Sequence, residues 1–599
     1  MNVISKFLII ISVLFMYSCN ENDNPIPDNQ VPDNQVPDSQ IPDSQDYGML
    51  NLDFEIRSYN NASFPDYWYV GGEGFKISLD DVERHSGKLS LKLVRNGNPD
   101  GKYGVFNGSF PIETVTGCEI EYKGWIKTKE VINGYAGLWF RVDGAHSTLG
   151  FENMNNRGLQ GNNNWTQVSI KMNVSPDATG IYFGGLFPGE GTVWFDHLEL
   201  YINGVKYIDH EPKTSLLQEE IAALEKYIYP LRTYNPDGGD TKDLEVLDKL
   251  IGNSKVVALG EVSHGSSEIF KMKNRIIQYL AINNGFDIFS IEANMPESYK
   301  LNNYTVRGEG DPKKLIAGMY FWTWRTEEVL NMVEWMHRFN QPNQRIAFTG
   351  FDMQYYIGAV DEIQDAFKEN YDVNIKIGTL RTKLAAGYAN ISVNDRKEID
   401  AILSFLQNSI EISSFQISER KWLQQNIVII QQYLGLGSNN RDKCMADNIM
   451  WIKDQNPDSK LVIWAHNGHI KETKQVMGYH LAQKLGEDYT TFGFTFLDGF
   501  FTAAGSNGLT SYQAEPAYST TLEYWLNQIN EPIFIIDLKK IKSDKSKDTE
   551  WLLKQITYRS VGSMGGLGRQ GEFNTSKISD DFDYLIFIKA STPSVLLPL

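Results

Sequence analysis

The feature that most constrains the fold of this chain is a change of hydrophobic pattern near residue 210. Beyond that point, short and continuous apolar runs alternate with longer amphipathic stretches. Because a strand buried on both faces reads as an unbroken apolar run, this alternation indicates a mostly parallel sheet covered by helices. The runs are 256–259, 286–291, 346–348, 461–464, 492–496, 533–536 and 584–588. We therefore predict an α/β domain over residues 211–599.

Two long helical patterns interrupt the alternation, at about 394–434 and at 441–453. Both exceed the length that a simple crossover between parallel strands requires. They predict a large helical insertion over one edge or mouth of the sheet.

Residues 48–210 have a different hydrophobic pattern. Apolar residues recur at every second position in short segments, and Gly, Asn, Asp and Pro turns separate the segments. This pattern indicates an all-β jelly-roll sandwich. Segments 51–55 and 191–196 resemble the opening and closing strands of carbohydrate-binding modules. The resemblance implies that a glycan is a possible partner of this domain, with aromatic side chains as stacking surfaces. The candidates are Trp68, Trp125, Trp139 and Trp165.

The amino terminus carries Lys6, an apolar run over 7–16, and Ser18 directly before Cys19. This order resembles the signal peptide of bacterial lipoproteins, in which the Cys is lipidated, so residues 1–19 are expected to be a signal and Cys19 the anchor. The alternative is an ordinary cleaved signal peptide. Residues 20–47 repeat Pro, Asp and Gln and predict an extended linker. The protein is then expected to be membrane-anchored on the periplasmic or cell-surface side.

Composition removes several function classes. The formal net charge of −19 excludes a broad nucleic-acid surface, which requires clustered Lys and Arg. Apart from Cys19, the chain has only Cys118 and Cys444, in different predicted domains, so neither a disulfide nor a Cys-rich zinc site is expected.

Candidate functional residues follow four of the apolar runs, where the strands are predicted to end. In open α/β sheets, ligands bind beyond the carboxyl ends of the strands, and neighbouring strands lie about 4.8 Å apart. These side chains are therefore expected to share one pocket. They are Glu261, His264, Glu292, Asp352, His466 and His469.

A His beside a carboxylate is suited to removing a proton near neutral pH, which makes His264 the candidate general base and Glu261 or Glu292 its partner. The sequence contains no Gly-x-Ser-x-Gly elbow, and neither Cys118 nor Cys444 lies at one of these predicted strand ends. A covalent Ser or Cys nucleophile is therefore unsupported, and activated water is the simpler nucleophile. Each residue alone has a structural alternative, such as capping a helix or pairing with a buried Lys.

The pair His466 and His469 also admits a metal site with His264 and an acid as further ligands. The intervening Asn467-Gly468 predicts a turn, which does not bring both rings to one ion, so we expect no metal and no cofactor. Arg325 lies just before a predicted helix and is a candidate substrate-binding residue.

Five ordered segments resemble the erythromycin esterase family: Leu259–Gly265, Ile291–Ala293, Gly350–Asp352, Arg441–Asn448 and Ala465–Ile470. The resemblance implies water attack on an ester or macrolactone, with His264 as base and Glu261, Glu292, His466 and His469 as its companions. It also implies that Lys273, at a position usually held by Arg, faces the pocket. Together with Asp352 and Arg325, Lys273 completes the set of candidate substrate-binding residues.

The expected partner is a small-molecule ester or a macrolide. Two other hypotheses stay open: a metal-dependent hydrolase that uses the same pocket, and a glycan-binding surface lipoprotein without turnover.

Overall fold

A computed structural model describes residues 50–598 apart from 59–60, 97–101, 111, 113–114, 146, 209–212, 238, 439 and 474. The predicted signal peptide, Cys19 and the predicted linker lie outside the described residues. All described residues belong to one compact unit. Among them, no helix combines the length and the apolar character needed to cross a bilayer.

The amino-terminal region is an antiparallel β-structure of ten strands. They are β1 (Tyr69–Gly71), β2 (Lys76–Asp80), β3 (Ser90–Arg95), β4 (Gly104–Phe110), β5 (Glu119–Gly144), β6 (Thr148–Glu152), β7 (Leu159–Asn173), β8 (Ala178–Phe187), β9 (Glu190–Ile202) and β10 (Val205–Lys206). The long strand β5 pairs with β7 and β9 through its first half and with β6 and β8 through its second half. It therefore joins two groups of strands into one ten-stranded sheet.

Alternation along these strands builds one core. Leu138 and Phe140 of β5 are buried inside, whereas Trp139 and Arg141 lie on the outer face. Of the tryptophans named from the sequence, Trp68 is a core residue with 1% exposure, and its indole donates to the carbonyl of Asn51. Trp68 is therefore not available as a stacking surface.

The carboxyl-terminal region has a second sheet in the order β11-β18-β21-β16-β12-β15-β13-β14. Each of the seven apolar runs overlaps a strand of it. The strands after residue 210 are β11 (Ile228–Pro230), β12 (Val256–Leu259), β13 (Phe286–Asn294), β14 (Ala347–Asp352), β15 (Lys460–Trp464), β16 (Tyr489–Gly505), β17 (Gly508–Gln513), β18 (Ile533–Asp537), β19 (Ile556–Arg559), β20 (Phe573–Ser576) and β21 (Tyr584–Ser591).

The centre of this sheet is parallel and one edge is antiparallel. Strand β12 pairs in parallel with β15 and β16, β13 with β14 and β15, and β16 with β21. Strand β18 is antiparallel to both of its neighbours, β11 and β21. The polar residues that follow β12, β13, β14 and β15 consequently lie at the same edge of the sheet.

Helices cover both faces. They are α1 (Gln218–Leu224), α2 (Val246–Ile251), α3 (Ser267–Asn283), α4 (Met295–Arg307), α5 (Pro312–Ala317), α6 (Glu327–Phe339), α7 (Ile357–Ala366), α8 (Tyr371–Leu384), α9 (Val393–Glu411), α10 (Ile417–Leu434), α11 (Arg441–Gln455), α12 (Asn467–Ile470), α13 (Met477–Leu485), α14 (Leu522–Leu526), α15 (Leu538–Asp544), α16 (Gly568–Glu572) and α17 (Ile578–Asp581). Helices α7 to α11 all lie between β14 and β15, where the sequence predicts an insertion.

The two faces of the sheet bury separate apolar clusters. Val256 and Ala258 point into one, and Val257 and Leu259 point into the other. This arrangement explains why β12 reads as an uninterrupted apolar run. The turn that follows it is the first place where β12 can present polar side chains.

Candidate active site

Strand register brings the polar residues to one level. Leu259 of β12 is aligned with Trp464 of β15, Trp464 with Ile291 of β13, and Ile291 with Gly350 of β14. Glu261, His466, Glu292 and Asp352 each follow one of these four residues by one or two positions. The parallel register therefore gathers them at the carboxyl edge of the sheet, as expected for a ligand site in an open α/β fold.

The turn after β12 is held by close backbone packing. Gly265 has room for no side chain, since an added Cβ would lie 1.9 Å from the carbonyl oxygen of Thr502. The backbone N–H of His264 donates to the carbonyl of Gly562, and that of Asn467 donates to the carbonyl of Glu261. These contacts fix the loop that carries Glu261 and His264.

Glu261 is the centre of a first cluster, the Glu261 cluster, made of Glu261, His264, Lys273 and Trp464. Its Oε1 lies 2.7 Å from His264 Nδ1, and its Oε2 accepts from Lys273 Nζ at 2.9 Å and from Trp464 Nε1 at 2.6 Å. Glu261 and Lys273 are both completely buried. Burial of such an ion pair is tolerated when further hydrogen bonds support it. Here His264 and Trp464 bind the carboxylate, and Lys273 Nζ also lies 3.5 Å from the carbonyl of Ala465.

The charges in this cluster act on each other. Burial alone would raise the pKa of Glu261, but the ammonium of Lys273 and the ring of His264 hold that pKa below its usual value. Burial lowers the pKa of Lys273 to about 8, against the opposing effect of Glu261. The ammonium also lies 4.2 Å from the centre of the Trp464 ring, a cation–π contact. Glu261 is therefore an ionised acceptor for the Nδ1–H of His264.

That hydrogen bond decides which nitrogen of His264 does chemistry. With Nδ1–H donated to Glu261, the neutral ring keeps Nε2 as its basic nitrogen. Within the described residues, Nε2 has no hydrogen-bond partner, and the side chain is 15% exposed. The ring also stands edge-to-face to Trp324 at 6.3 Å. Glu261 thus fixes the orientation of the His264 ring through Nδ1, and Nε2 is left available for substrate or water.

The second cluster, the Arg441 cluster, consists of Glu292, Asp352, Arg441, Asp442 and His469. Arg441 donates from Nε and Nη2 to the two carboxylate oxygens of Asp352, at 3.1 and 2.7 Å. Its Nη2 also donates to Glu292 Oε1 at 2.8 Å. Although burial would raise it, the pKa of Glu292 is held well below its usual range by the positive charges of His469 and Arg441. Glu292 is therefore ionised, and one guanidinium binds the carboxylates of both Glu292 and Asp352.

His469 and His466 have opposite characters. His469 Nδ1 lies 2.7 Å from Asp442 Oδ1, and although burial opposes it, Glu292 and Asp442 raise the pKa of His469. His466 caps α12, where its Nδ1 accepts from the N–H of Gly468 at 3.1 Å and its Nε2 lies 3.3 Å from the carbonyl of Val262. Burial, with the neighbouring His264 and His469, lowers the pKa of His466 to about 3. His466 is thus a neutral ring at physiological pH.

The structure revises one expectation about the segment after β15. Asn467-Gly468 was predicted to form a turn, but it opens the short helix α12, because His466 satisfies the free N–H of Gly468 as an N-cap. Lys273 and Asp352, the predicted substrate contacts, are fully buried and bound to Glu261 and Arg441, respectively. Their contact with substrate stays a prediction.

Unlike Lys273 and Asp352, the predicted substrate contact Arg325 leaves one side-chain nitrogen without a partner among the described residues. It lies between Trp324 and the start of α6, and its Nε is buried without a hydrogen-bond partner in the described part of the chain. The indole of the adjacent Trp324 donates to the carbonyl of Glu292. Arg325 thus follows the pocket residue Trp324 in the chain, and its Nε is unused by the described residues.

The donor atoms do not suit a metal ion. His466 uses both ring nitrogens, His469 uses Nδ1 on Asp442, and His264 uses Nδ1 on Glu261. Across the residues that the structure describes, no group of three or more His, Cys, Asp and Glu side chains is arranged to hold a metal.

Sequence reasoning assigned no role to Arg441 or Asp442. Both lie at the start of helix α11. The other candidates were located because they follow predicted strands, and these two residues do not. One signal was available: three acids were predicted in one pocket, and such a pocket requires positive charge in addition to Lys273.

Comparison with known proteins gives four findings. The model of the erythromycin esterase family matches residues 282–591. A putative hydrolase of Bacillus subtilis, YbfO, is 23% identical over 424 residues, which cover 62% of this chain and 91% of that protein. Erythromycin esterase type II of Escherichia coli is 24% identical over 325 residues, 46% of this chain and 76% of that one. A Bacillus cereus protein of known crystal structure shares the fold, with a TM-score of 0.57, 23% identity, and coverage of 63% of this chain and 99% of that one.

Proposed function

The chain belongs to the erythromycin esterase family, and we propose that it hydrolyses a carboxylic ester by attack of a water molecule that His264 activates. The observation that carries this proposal is the 2.7 Å contact between His264 Nδ1 and the buried Glu261. It leaves Nε2 basic and without a hydrogen-bond partner among the described residues, on a side chain that is 15% exposed. A general base requires both properties.

The remaining residues have distinct roles in this reaction. Glu261 orients the ring of His264 and stabilises the imidazolium that forms when the ring takes a proton from water. Lys273 and Trp464 keep Glu261 ionised and in place. The neutral His466 separates His264 from His469, with ring centres 5.0 and 6.5 Å apart. Arg325, with its unused Nε, is the candidate contact for an anionic or carbonyl group of the substrate.

A panel of esters tests the proposal. The wild-type protein should hydrolyse at least one class among aryl esters, alkyl esters, acylated sugars and macrolactones, and His264→Asn should lower turnover by about 10² to 10⁴-fold, the usual contribution of a positioned base. His480→Asn, on helix α13, is the matched control and should keep full activity. A folded His264→Asn variant with wild-type turnover would falsify the assignment of the base.

A second candidate function, glycan binding, is favoured by one surface of the amino-terminal region. The register of β1, β4, β8 and β5 places Tyr69, Asn107, Gly184 and Trp139 in one row across the outer face. Tyr69 is 57% exposed, and Trp139 is half-buried, with its indole nitrogen turned away from solvent. Two aromatic side chains in one row on an outer face suit the flat face of a sugar ring.

The next row of this face adds further aromatic surface. Phe151 of β6 is 56% exposed and is aligned with Arg141, whose guanidinium lies 5.0 Å from the centre of the Tyr182 ring. Binding of the full chain to soluble polysaccharides in affinity gels should weaken in a Tyr69→Ala, Trp139→Ala double variant. Tyr371→Ala, an exposed tyrosine on α8, is the control. Equal retardation of all three proteins by every polysaccharide would exclude this surface.

Membrane anchoring through Cys19 is a separate proposal. It is supported by the sequence of residues 1–19 alone, and mass spectrometry of the protein from its native host would test it by detecting acyl chains on Cys19.

A further inference from the structure

The pocket contains a second imidazole–carboxylate pair, formed by His469 and Asp442. His469 Nδ1 lies 2.7 Å from Asp442 Oδ1, the same separation as between His264 and Glu261. Asp442 Oδ1 also accepts from the backbone N–H of Met477 at 3.0 Å, so the carboxylate is held between the starts of α11 and α13. The side chain of His469 is 21% exposed and reaches solvent as His264 does.

The other nitrogen of His469 has a suitable partner in either protonation state. Nε2 lies 3.3 Å from Glu292 Oε1, which accepts a proton-bearing Nε2, and 3.1 Å from Arg441 Nη1, which donates to a neutral one. A ring that loses and regains a proton would therefore keep its orientation throughout. His466 lacks this property, since its Nδ1 must accept from Gly468 to cap α12.

The charges around His469 favour its protonated form. Asp442 from α11 and Glu292 from β13 face the ring with negative charge, and Arg441 faces it with positive charge that Asp352 largely neutralises. His466, on the same turn, is neutral. Base and acid are thus placed on opposite sides of His466.

We propose that His469 is the general acid of the reaction and that Asp442 is the residue that positions it, an inference that rests on the proposed ester hydrolysis. The oxygen of water bonds to the ester carbonyl carbon while its proton passes to His264 Nε2. The carbon–oxygen bond to the alcohol then breaks, its electron pair stays on the alkoxide oxygen, and that oxygen takes the proton from His469 Nε2. Afterwards His264 releases its proton to solvent and His469 regains one.

The experiment compares two esters with the same acyl group, one with a nitrophenol and one with a simple alcohol as leaving group. A nitrophenolate departs without a proton, whereas an alkoxide requires one. Asp442→Asn keeps an oxygen for Met477 and removes the charge. It should lower kcat on the alkyl ester by about tenfold or more and on the nitrophenyl ester by less than about threefold. Asp447→Asn, on the same helix and paired with Lys443 and Lys484, is the control and should change neither.

The pH profile gives a second readout. Activity on the alkyl ester requires protonated His469, so it should fall as pH rises through the pKa of that ring. Removing the charge of Asp442 lowers this pKa, so the falling limb should move to lower pH in Asp442→Asn and stay in place in Asp447→Asn. A merely structural role for Asp442 would lower activity on both esters equally and leave the limb unmoved, which overturns the proposal.

If Asp442→Asn does not fold, kinetics of the wild-type protein still test whether a general acid protonates the leaving group. Across a series of esters with graded leaving groups, proton donation predicts that kcat depends weakly on the pKa of the alcohol, and a steep decrease toward poor leaving groups overturns the proposal. Failure of the underlying function is distinguishable. In that case the wild type hydrolyses no ester, or His264→Asn retains full activity.

Discussion

On one side of the pocket, Glu261 binds His264, Lys273 and Trp464 and is sealed from solvent. On the other side, Arg441 binds Glu292 and Asp352 while its own side chain remains 25% exposed. Each side neutralises buried acid with one cation and presents one histidine to the opening. The comparison shows that a single edge of a parallel sheet can carry two similar histidine–carboxylate pairs in different degrees of enclosure.

Enclosure has an electrostatic consequence. Interactions between charges are stronger where water is excluded, and an unpaired charge is correspondingly more costly there. The Glu261 cluster is thus expected to be the more rigid and the less tolerant of substitution. The Arg441 cluster, reached by solvent, is expected to exchange protons more readily.

The largest expected effect is on stability and tests this difference in enclosure. Lys273→Met leaves Glu261 as a buried and uncompensated charge, which should destabilise the protein by about 3–5 kcal/mol. Urea unfolding followed by tryptophan fluorescence measures the change. Glu261→Gln combined with Lys273→Met removes both charges and should recover most of the stability without recovering activity. If the double variant is no more stable than Lys273→Met, then the buried charge is not the cause.

A smaller effect is expected from Asp352→Asn, which concerns the Arg441 cluster. Asp352 is fully buried and binds Arg441, so its removal should misplace the guanidinium and lower kcat by about ten- to a hundredfold while KM changes little. Steady-state kinetics on the best ester measure both constants. A large rise in KM with unchanged kcat would instead return Asp352 to the substrate-binding role that the sequence predicts.

Arg325→Met should show the reverse pattern. Since the Nε of Arg325 is unused by the described residues, its removal should raise KM by about tenfold for esters with an anionic or strongly polar acyl group and should leave kcat nearly unchanged. Arg338→Met, in the last turn of α6, is the control. Unchanged KM across charged and neutral substrates would remove Arg325 from the site.

The smallest effect concerns pH. The pKa of Glu292 is depressed in the folded protein, so its charge contributes stability above the unfolded value of 4.5, and this contribution is lost as pH falls through the folded pKa. Between about pH 5 and pH 3, the melting temperature of the wild type should therefore fall more steeply than that of Glu292→Gln. Parallel curves would show that Arg441 and His469 do not stabilise Glu292 appreciably.

Much of the Glu261 cluster could be predicted from the sequence because its parts are close in the chain. Glu261 and His264 lie in one turn after an apolar run, and Lys273 is two turns into the helix that follows. Local periodicity is enough to place such residues, since strand ends and helix faces repeat at fixed spacings. The seven strands were predictable for the same reason.

The Arg441 cluster depended on tertiary structure. Its residues come from β13, β14, α11 and α12, and Arg441 is separated from Asp352 by the helices inserted between β14 and β15. The spacing of residues in the sequence does not predict that Arg441, the first residue of α11, packs against the edge of the sheet. The same limit applies to Lys273 and Asp352, whose burial decides that they bind Glu261 and Arg441. By itself, through hydrophobic periodicity, the sequence determined which residues are available at the edge of the sheet. The tertiary structure decided which charges neutralise each other, because a buried charge is stable only when it is paired, and the packing of distant helices supplies the partners.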